Sequence, residues 1–361
     1  MKKFVVLGLA LLLLGSALFA DDAKVMPFKV GRLYIAPTYS FAMGAYNDDG
    51  EYKTFDDSIK LFNLGFALEY GVIDWITAAV QWVPGWTPWS DVKGATPAEL
   101  QALPGNFDTN GVADLFAGVK IQLAGEQAPI KTSAFRFAVA PGVIIPLPGP
   151  DFEEEMKNAT TGKDATVSSM DKHVLGAGVR VYIDFIINKN FFINLYNETI
   201  FYPGKGDLNK DSPTFYGAKA GIAAAMANPL IMDITGEVDY KYKLTFEIEP
   251  VFSMPLGSGG IDFSAGLPVN FKYRPAYEYS YSYPEALAPA APVLDETFAN
   301  YISSNPAYIL AVNPNVSLFF TKTPLPLEFK FQYGLPLMGK NEMARHNATL
   351  QIKAYFALPG R

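Results

Sequence analysis

Two histidines, His173 and His346, are the side chains of this chain best suited to acid–base catalysis, because histidine titrates near neutral pH. Ser169 and Asp171 lie close to His173 in the sequence, and serine, histidine and an acid form the site of many hydrolases. Neighbours along one segment do not reproduce the geometry of a triad, whose members converge from different parts of a fold. We therefore predict no catalytic residue and no enzyme, and a hydrolase site at the rim of the fold stays as an alternative.

Residues 207–212 (DLNKDS) begin like a calcium-binding loop, with Asp207, Asn209 and Asp211 at alternate positions. A complete loop needs glycine where Ser212 stands and a bidentate glutamate where Ala218 stands, so the pattern fails. The chain also has no cysteine, and it therefore lacks the residue type that forms thiolate metal sites and disulfides. We predict no metal site and, since no glycine-rich phosphate-binding loop joins a strand to a helix, no cofactor.

The other charged side chains mostly alternate with apolar ones, which is the pattern of a β-strand with one buried or lipid-facing side. In residues 261–273, apolar residues take the odd positions from Ile261 to Tyr273, and Asp262 and Lys272 are among the polar residues between them. At ~3.3 Å per residue and a tilt of ~40°, this stretch covers roughly 30 Å, the thickness of a bilayer. Such a strand is typical of the wall of a transmembrane β-barrel.

If the apolar faces contact lipid, the alternating polar faces surround a lumen. The charged residues predicted to line this lumen are Asp114, Lys120, Arg136, Arg180, Asp184, Lys219, Glu237, Asp262, Lys272, Lys330 and Lys353. Both signs of charge are present, as expected for walls that contact water. The alternative is that these charges pair across neighbouring strands and fill the interior without leaving a pore.

We predict an all-β fold, a transmembrane antiparallel up-and-down β-barrel of about fourteen strands. The predicted strands include one over 214–227 and two within 230–256. No Gly, Pro or Asn marks a turn near 240–243, so a barrel of about twelve strands is the alternative. A secreted β-sandwich would have shorter strands and evenly spaced turns.

The connections between the predicted strands alternate in length. The long ones are 46–58, 84–110, 147–172, 203–213, 274–306 and 339–346, and the short ones are 71–74, 125–132, 187–190, 228–229, 257–260 and 321–324. Outer-membrane barrels have long loops outside the cell and short turns in the periplasm. We therefore expect 147–172 and 274–306 to lie outside the cell.

Residues 1–20 have the pattern of a secretory signal peptide, with two lysines, an apolar run from Phe4 to Leu14, and Ala20 before the predicted cut. Residues 21–361 are then predicted to be a single barrel domain, exported to the outer membrane of a double-membrane bacterium. Membrane lipids, the outer-membrane assembly machinery and a small-molecule permeant are the expected partners. The formal net charge of −7 argues against nucleic acid as a partner.

Residues 68–86 (LEYGVIDWITAAVQWVPGW) and 111–123 (GVADLFAGVKIQL) resemble the sequences of outer-membrane transporters for hydrophobic compounds. These are the long-chain fatty-acid transporter (FadL-type) superfamily and related barrels of aromatic-degradation pathways. The resemblance implies a fourteen-stranded barrel that passes hydrophobic small molecules. The family's barrels are plugged by a longer N-terminal hatch, and the residues from 21 to about 30 are too few to form one, so we expect no N-terminal plug. The C-terminal aromatic residue usual in such barrels is also absent.

The sequence thus predicts an outer-membrane channel or transporter for passive or selective diffusion of small molecules, with hydrophobic compounds among the candidate permeants. A surface-exposed structural or adhesive barrel without a pore is the first alternative, and the rim hydrolase is the second.

Overall fold

The computed structural model describes residues 22–91, 107–108, 111–147, 154–156, 161–163, 165–166, 172–302 and 305–357. The predicted signal peptide, residues 1–20, lies outside the described residues. Long antiparallel strands dominate the structure, as the alternating sequence predicts. Among the described residues, no helix combines the length and the hydropathy needed to cross a bilayer.

The strands, in chain order, are β1 (Val30–Tyr46), β2 (Tyr52–Ile73), β3 (Ile76–Asp91), β4 (Phe107–Asp108), β5 (Leu115–Gly125), β6 (Ile130–Lys131), β7 (Phe135–Ile145), β8 (Ala165–Thr166), β9 (Gly176–Ile186), β10 (Phe191–Phe201), β11 (Lys205–Asp207), β12 (Thr235–Asp239), β13 (Tyr242–Pro255), β14 (Ile261–Gly266), β15 (Val269–Arg274), β16 (Glu278–Ser282), β17 (Ala307–Val312), β18 (Asn315–Phe320), β19 (Leu327–Lys340) and β20 (Glu342–Ala357). The α-helices are α1 (Leu208–Asp211), α2 (Pro213–Met226) and α3 (Ala291–Tyr301), and 3-10 helices span Pro229–Asp233 and Glu285–Ala290.

A closed barrel is formed because β1 pairs with β2 on one side and with β20 on the other. Around the barrel the order is β1, β2, β3, β5, β7, β9, β10, β13, β14 with β15, β17 with β18, β19 and β20. The two split strands are interrupted beside Pro268 and Pro314, since proline has no N–H to donate to a neighbouring strand. Each split strand occupies one position in the wall, so the barrel has twelve transmembrane strands.

The predicted alternative of twelve strands is confirmed, and the count of fourteen is wrong. Residues 214–227, predicted as a strand, lie almost entirely in helix α2. Ser212 caps this helix by accepting a hydrogen bond from the Phe215 N–H, Pro213 begins it, and most of its last turns are alanine. The next predicted strand is β12, which belongs to a small sheet outside the barrel.

Two predicted long connections, 46–58 and 339–346, are also wrong. β1 and β2 continue as a paired hairpin as far as Tyr46 and Tyr52, and β19 and β20 are joined by Asn341 alone, which has a positive φ of 51°. These strands are longer than a bilayer requires, so they extend beyond it at this end of the barrel.

The barrel wall separates apolar from polar side chains. In β1, Leu33 is 42% exposed on the outer face, whereas its neighbour Tyr34 is 3% exposed inside. Aromatic rings gather on the outer face, where Tyr39 stacks on Trp89 at 6.5 Å and Trp82 packs edge-on against Phe66 at 5.2 Å. This arrangement suits a lipid environment, because aromatic rings favour the bilayer interface.

Two long connections fold together into a unit that we call the cap, formed by residues 202–241, 275–302 and 305–306. It contains a three-stranded sheet, β11–β12–β16, and the three α-helices. Phe215, Ile231 and Phe298 are fully or almost fully buried in its own hydrophobic core. The cap lies at the end of the barrel opposite the short turns. Since the long connections are predicted to be outside the cell and the short turns in the periplasm, the cap would lie outside the cell.

Candidate functional site

The middle of the lumen is crossed by one arginine. Arg180 of β9 donates from Nε to Glu198 Oε2 at 2.6 Å and from Nη1 to Gln81 Oε1 at 2.5 Å. Gln81 lies on β3, which is not a neighbour of β9, so the second contact spans the interior. The guanidinium also lies 3.6 Å from the centre of the Phe116 ring. We call this group (Gln81, Phe116, Arg180 and Glu198) the belt.

Below the belt, at the end of the short turns, residues 22–29 enter the barrel. The hydrogen bonds that hold their main chain to the inner wall include Ala23 N to Asp184 Oδ1 (2.9 Å), Lys120 Nζ to Asp22 O (2.8 Å), Gln122 Nε2 to Ala23 O (2.9 Å) and Met26 N to Thr77 Oγ1 (2.7 Å). The wall partners come from β3, β5 and β9. The residues before β1, expected to be too few for an N-terminal plug, thus form a short extended segment inside the barrel.

Ion pairs and amides line other sectors of the interior. Arg32 pairs with Glu69 at 2.6 Å, and Lys353 pairs with Glu328 at 3.0 Å. A further buried carboxylate, Glu249 on β13, accepts hydrogen bonds from Asn194 on the neighbouring β10 and from Asn315 on β18. Much of the mixed charge in these sectors is thus compensated locally, as the alternative interpretation of the sequence expected.

A cavity of about 100 Å³ remains between the belt and the cap. Its charged lining residues are Lys243, Lys272, Arg274, Glu342 and Arg345. One lining residue contacts the cap, because Arg274 Nη1 donates to Asn305 O at 3.1 Å. The Arg274 guanidinium also lies 4.6 Å from the centre of the Tyr277 ring.

A lysine ties the preceding long connection to the cap. Lys172 Nζ lies 3.9 Å from the ring centre of Tyr240, 4.6 Å from that of Tyr277 and 5.2 Å from that of Tyr202. It also donates a hydrogen bond to the Tyr277 hydroxyl at 2.8 Å. Burial raises the pKa of Tyr277 above its usual value, so this phenol stays neutral. Lys172 ends the predicted connection 147–172, most of which lies outside the described residues.

Four of the predicted lumen residues come together in the part of the barrel formed by β5, β7 and β9. Lys120 and Asp184 hold the N-terminal segment, Arg136 lies 3.3 Å from Asp184, and Arg180 forms the belt. Asp114, just before β5, accepts a hydrogen bond from Leu147 N at 3.4 Å. The residues on other strands are Asp262 on β14, Lys272 on β15, Lys330 on β19 and Lys353 on β20.

Two predicted lumen residues are not in the barrel. Lys219 is buried in the cap on α2, where its ammonium donates to the carbonyls of Met232 and Ile234. Glu237 lies on β12 and pairs with Lys205 on the exposed side of the cap sheet. Both placements follow from the wrongly predicted strands in this region, since a helix and an extramembrane sheet cannot present side chains to the lumen.

Sequence reasoning missed most of the charged residues around the cavity. Arg345 fell in a predicted loop, although it has the same parity as the inward-facing Thr349 and Gln351 of β20. Lys243 lay in the predicted turn near 240–243, which no Gly, Pro or Asn marks. Arg274 was the first residue of the predicted connection 274–306, although it is the last residue of β15. Extending the period-2 pattern of β20 backwards was the signal that could have found Arg345.

The histidines show no catalytic arrangement among the described residues. His346 stacks on Phe41 with ring centres 4.8 Å apart, and its Nδ1 lies 3.0 Å from the Tyr333 hydroxyl. Ser169 and Asp171, the residues of the hydrolase alternative, lie outside the described residues. His173 adopts a positive φ of 49° just before β9.

No model of a known protein family matches this chain, and neither does any curated protein. Solved structures do match. The crystal structure of an outer membrane channel from Pseudomonas putida F1 is similar with a TM-score of 0.60 and 12% identity, covering 94% of this chain and all of that one (100%). What the two chains share is the fold, a closed antiparallel β-barrel.

Other matched structures are more distant and carry no argument of their own. The P. putida toluene transporter TodX aligns with a TM-score of 0.41 and 8% identity, covering 95% of this chain and 94% of that one. A Pseudomonas aeruginosa FadL homologue aligns with a TM-score of 0.32 and 8% identity, covering 91% and 90%. Structures of the group that the sequence resembles are thus among the matches.

Proposed function

We propose that this protein is an outer-membrane channel for the passive or selective diffusion of small molecules, closed at rest by the cap and by the N-terminal segment. The observation that carries the proposal is the polar interior of a closed twelve-stranded barrel, with a cavity between belt and cap. An eight-stranded barrel is just filled by its own side chains, whereas a wider one leaves room for solute or plugging segments.

The lining favours polar permeants over purely hydrophobic ones. Between the cap and the N-terminal segment, a solute contacts the Arg180–Glu198 pair and the charged residues of the cavity. Hydrocarbon gains free energy when it leaves water for an apolar surface, and these walls offer little of that. Hydrophobic compounds, which the sequence resemblance implies as permeants, are therefore the less favoured substrate class.

A solute can pass only when the cap and the N-terminal segment both move aside. We therefore expect small, intermittent conductance from the intact protein in planar bilayers. The two cap segments share one core, so removing only one would expose the apolar surface of the other. The informative variant therefore replaces 204–239 and 277–304 together by short Gly–Ser turns. We expect larger and longer openings from it, with folding of both proteins confirmed by heat-modifiable gel mobility.

A structural or adhesive surface protein is the second candidate. It is favoured by the cap itself, a unit with its own hydrophobic core and its own sheet at the mouth of the barrel. If neither the intact nor the cap-shortened protein conducts ions while both are folded, the channel proposal fails and this candidate stands.

A further inference from the structure

We propose that the cavity under the cap is a binding site for a small organic carboxylate. Lys243 on β13, Lys272 and Arg274 on β15, and Arg345 on β20 converge on it. β20 is separated from β15 by the positions of β17 and β19 in the wall, so these cations meet across the lumen. Glu342 is the acidic side chain of the described lining, which leaves four formal positive charges facing one negative charge.

The cations of the cavity differ from those elsewhere in the lumen. Arg32, Arg180 and Lys353 each pair with a glutamate at 3.0 Å or less. Within the part of the chain that the structure describes, Lys272, Arg274 and Arg345 form no ion pair within 4.0 Å. Four cations gathered away from bulk water around a single carboxylate are unfavourable, so this cluster favours a further anion between them.

The hydrogen-bonding groups specify what kind of anion fits. Arg274 is 3% exposed, and its Nε and Nη2 are buried without a hydrogen-bond partner. Its Nη1 is held by Asn305 O and its plane by the Tyr277 ring, so the orientation of the guanidinium is set. The Nε–Nη2 edge is an edge of the guanidinium that binds both oxygens of a carboxylate in a bidentate pair.

A second unpartnered donor lines the same cavity. Asn313 is 5% exposed, and its Nδ2 is buried without a hydrogen-bond partner. Because the unpartnered atoms of both residues are N–H donors, the complementary ligand is an acceptor rather than a cation or a donor.

Size and apolar lining indicate an organic acid rather than a bare oxyanion. A cavity of about 100 Å³ accommodates on the order of eight water molecules, which is close to the size of benzoate. Ile309, Ala311 and Met343 supply apolar surface beside the cations. The ligand class is therefore a carboxylate on a small apolar body.

The test is calorimetric titration of the purified, folded full chain in detergent with benzoate, benzyl alcohol and inorganic phosphate. Benzyl alcohol keeps the ring without the charge, and phosphate keeps the charge without the ring. We expect benzoate to bind, with Arg274→Met weakening it about tenfold or more and Lys330→Met, a lumen cation outside the cavity lining, changing it less than about twofold. Arg274→Lys keeps the charge but loses the planar pair of N–H donors that binds both carboxylate oxygens, so we expect it to weaken binding as well.

Equal benzoate affinity in the Arg274→Met and unaltered proteins would overturn the proposal, as would phosphate binding as tightly as benzoate. If Arg274→Met does not fold, Arg345→Met takes its place with the same expected loss. The site's place on a permeation path rests on the proposed channel function, but binding does not. Benzoate binding by a protein without conductance supports the site and refutes the channel, and conductance without benzoate binding does the reverse.

Discussion

The Ala23 N–H donates to the carboxylate of Asp184 at 2.9 Å, a hydrogen bond between residues 161 positions apart in the sequence. The same carboxylate lies 3.3 Å from Arg136. One charged group of the barrel wall thus fixes the chain that precedes β1 inside the lumen. The N-terminal segment is therefore bonded inside the barrel rather than being a free tail.

Removing this carboxylate should release the segment. The chain has no cysteine, so Met26→Cys, at a buried position of the segment, introduces a unique label site. We expect Asp184→Ala to speed maleimide labelling of that cysteine by about tenfold, because a hydrogen bond to a charged group contributes ~1.5–3 kcal/mol. Asp184→Asn keeps an acceptor oxygen and should have a smaller effect. Identical labelling rates with and without Asp184→Ala would show that the bond does not hold the segment.

The two faces of the strand formed by β14 and β15 should respond oppositely to charge. Leu267 is 48% exposed on the outer face, whereas Asn270 is 3% exposed and donates to Glu247 Oε2 at 3.0 Å. Leu267→Arg puts a charge into lipid near the bilayer midplane at a cost of ~2–4 kcal/mol, so folding into vesicles should fail or slow. Asn270→Arg places the charge beside Glu247 in the lumen and should fold. Gel mobility with and without heating measures both yields, and similar yields would mean that the inferred faces are wrong.

A substitution in the core of the cap should destabilise the cap and leave the barrel folded. Phe298 on α3 is fully buried, with ring centres 5.4 Å from Phe215 and 4.8 Å from Tyr281. Phe298→Ala should cost the cap ~3–5 kcal/mol, because a large buried ring leaves a cavity. Limited trypsin digestion should then cut the cap while the barrel core stays protected. Val293→Ala on the same helix is the control, since Val293 is 65% exposed. Digestion of the barrel at the same rate as the cap would show that the two are one cooperative unit.

The orientation of the barrel in the membrane is open to a direct test. An epitope tag inserted at Gly162, an exposed position in the long connection before β9, should be reached by antibody on intact cells. A tag at Gly259, exposed in the short turn between β13 and β14, should be reached only after the outer membrane is permeabilised. Labelling in the reverse order would invert the assigned orientation and place the cap in the periplasm.

The sequence alone determined that this chain is a barrel and which faces of its strands meet lipid. The period of 2 is a local property of the backbone, so Leu267 and Asn270 separate to opposite faces wherever the strand lies. The alternation of long and short connections can likewise be predicted from the sequence, because each connection depends only on the two strands that it joins. Local pattern was wrong at 214–227, where alternating small apolar residues predicted a strand although Ser212 and Pro213 begin a helix, and at 46–58 and 339–346, where paired strands continue.

Only the tertiary structure decided what the lumen contains. Arg180 and Gln81, Ala23 and Asp184, and the cations Lys272 and Arg345 are far apart in the chain, and they meet because closure of β1 on β20 sets every strand's position around the axis. The alternating pattern places a side chain inside but carries no information on which residue it faces there. That depends on strand number and register, which are fixed by the pairing of distant segments.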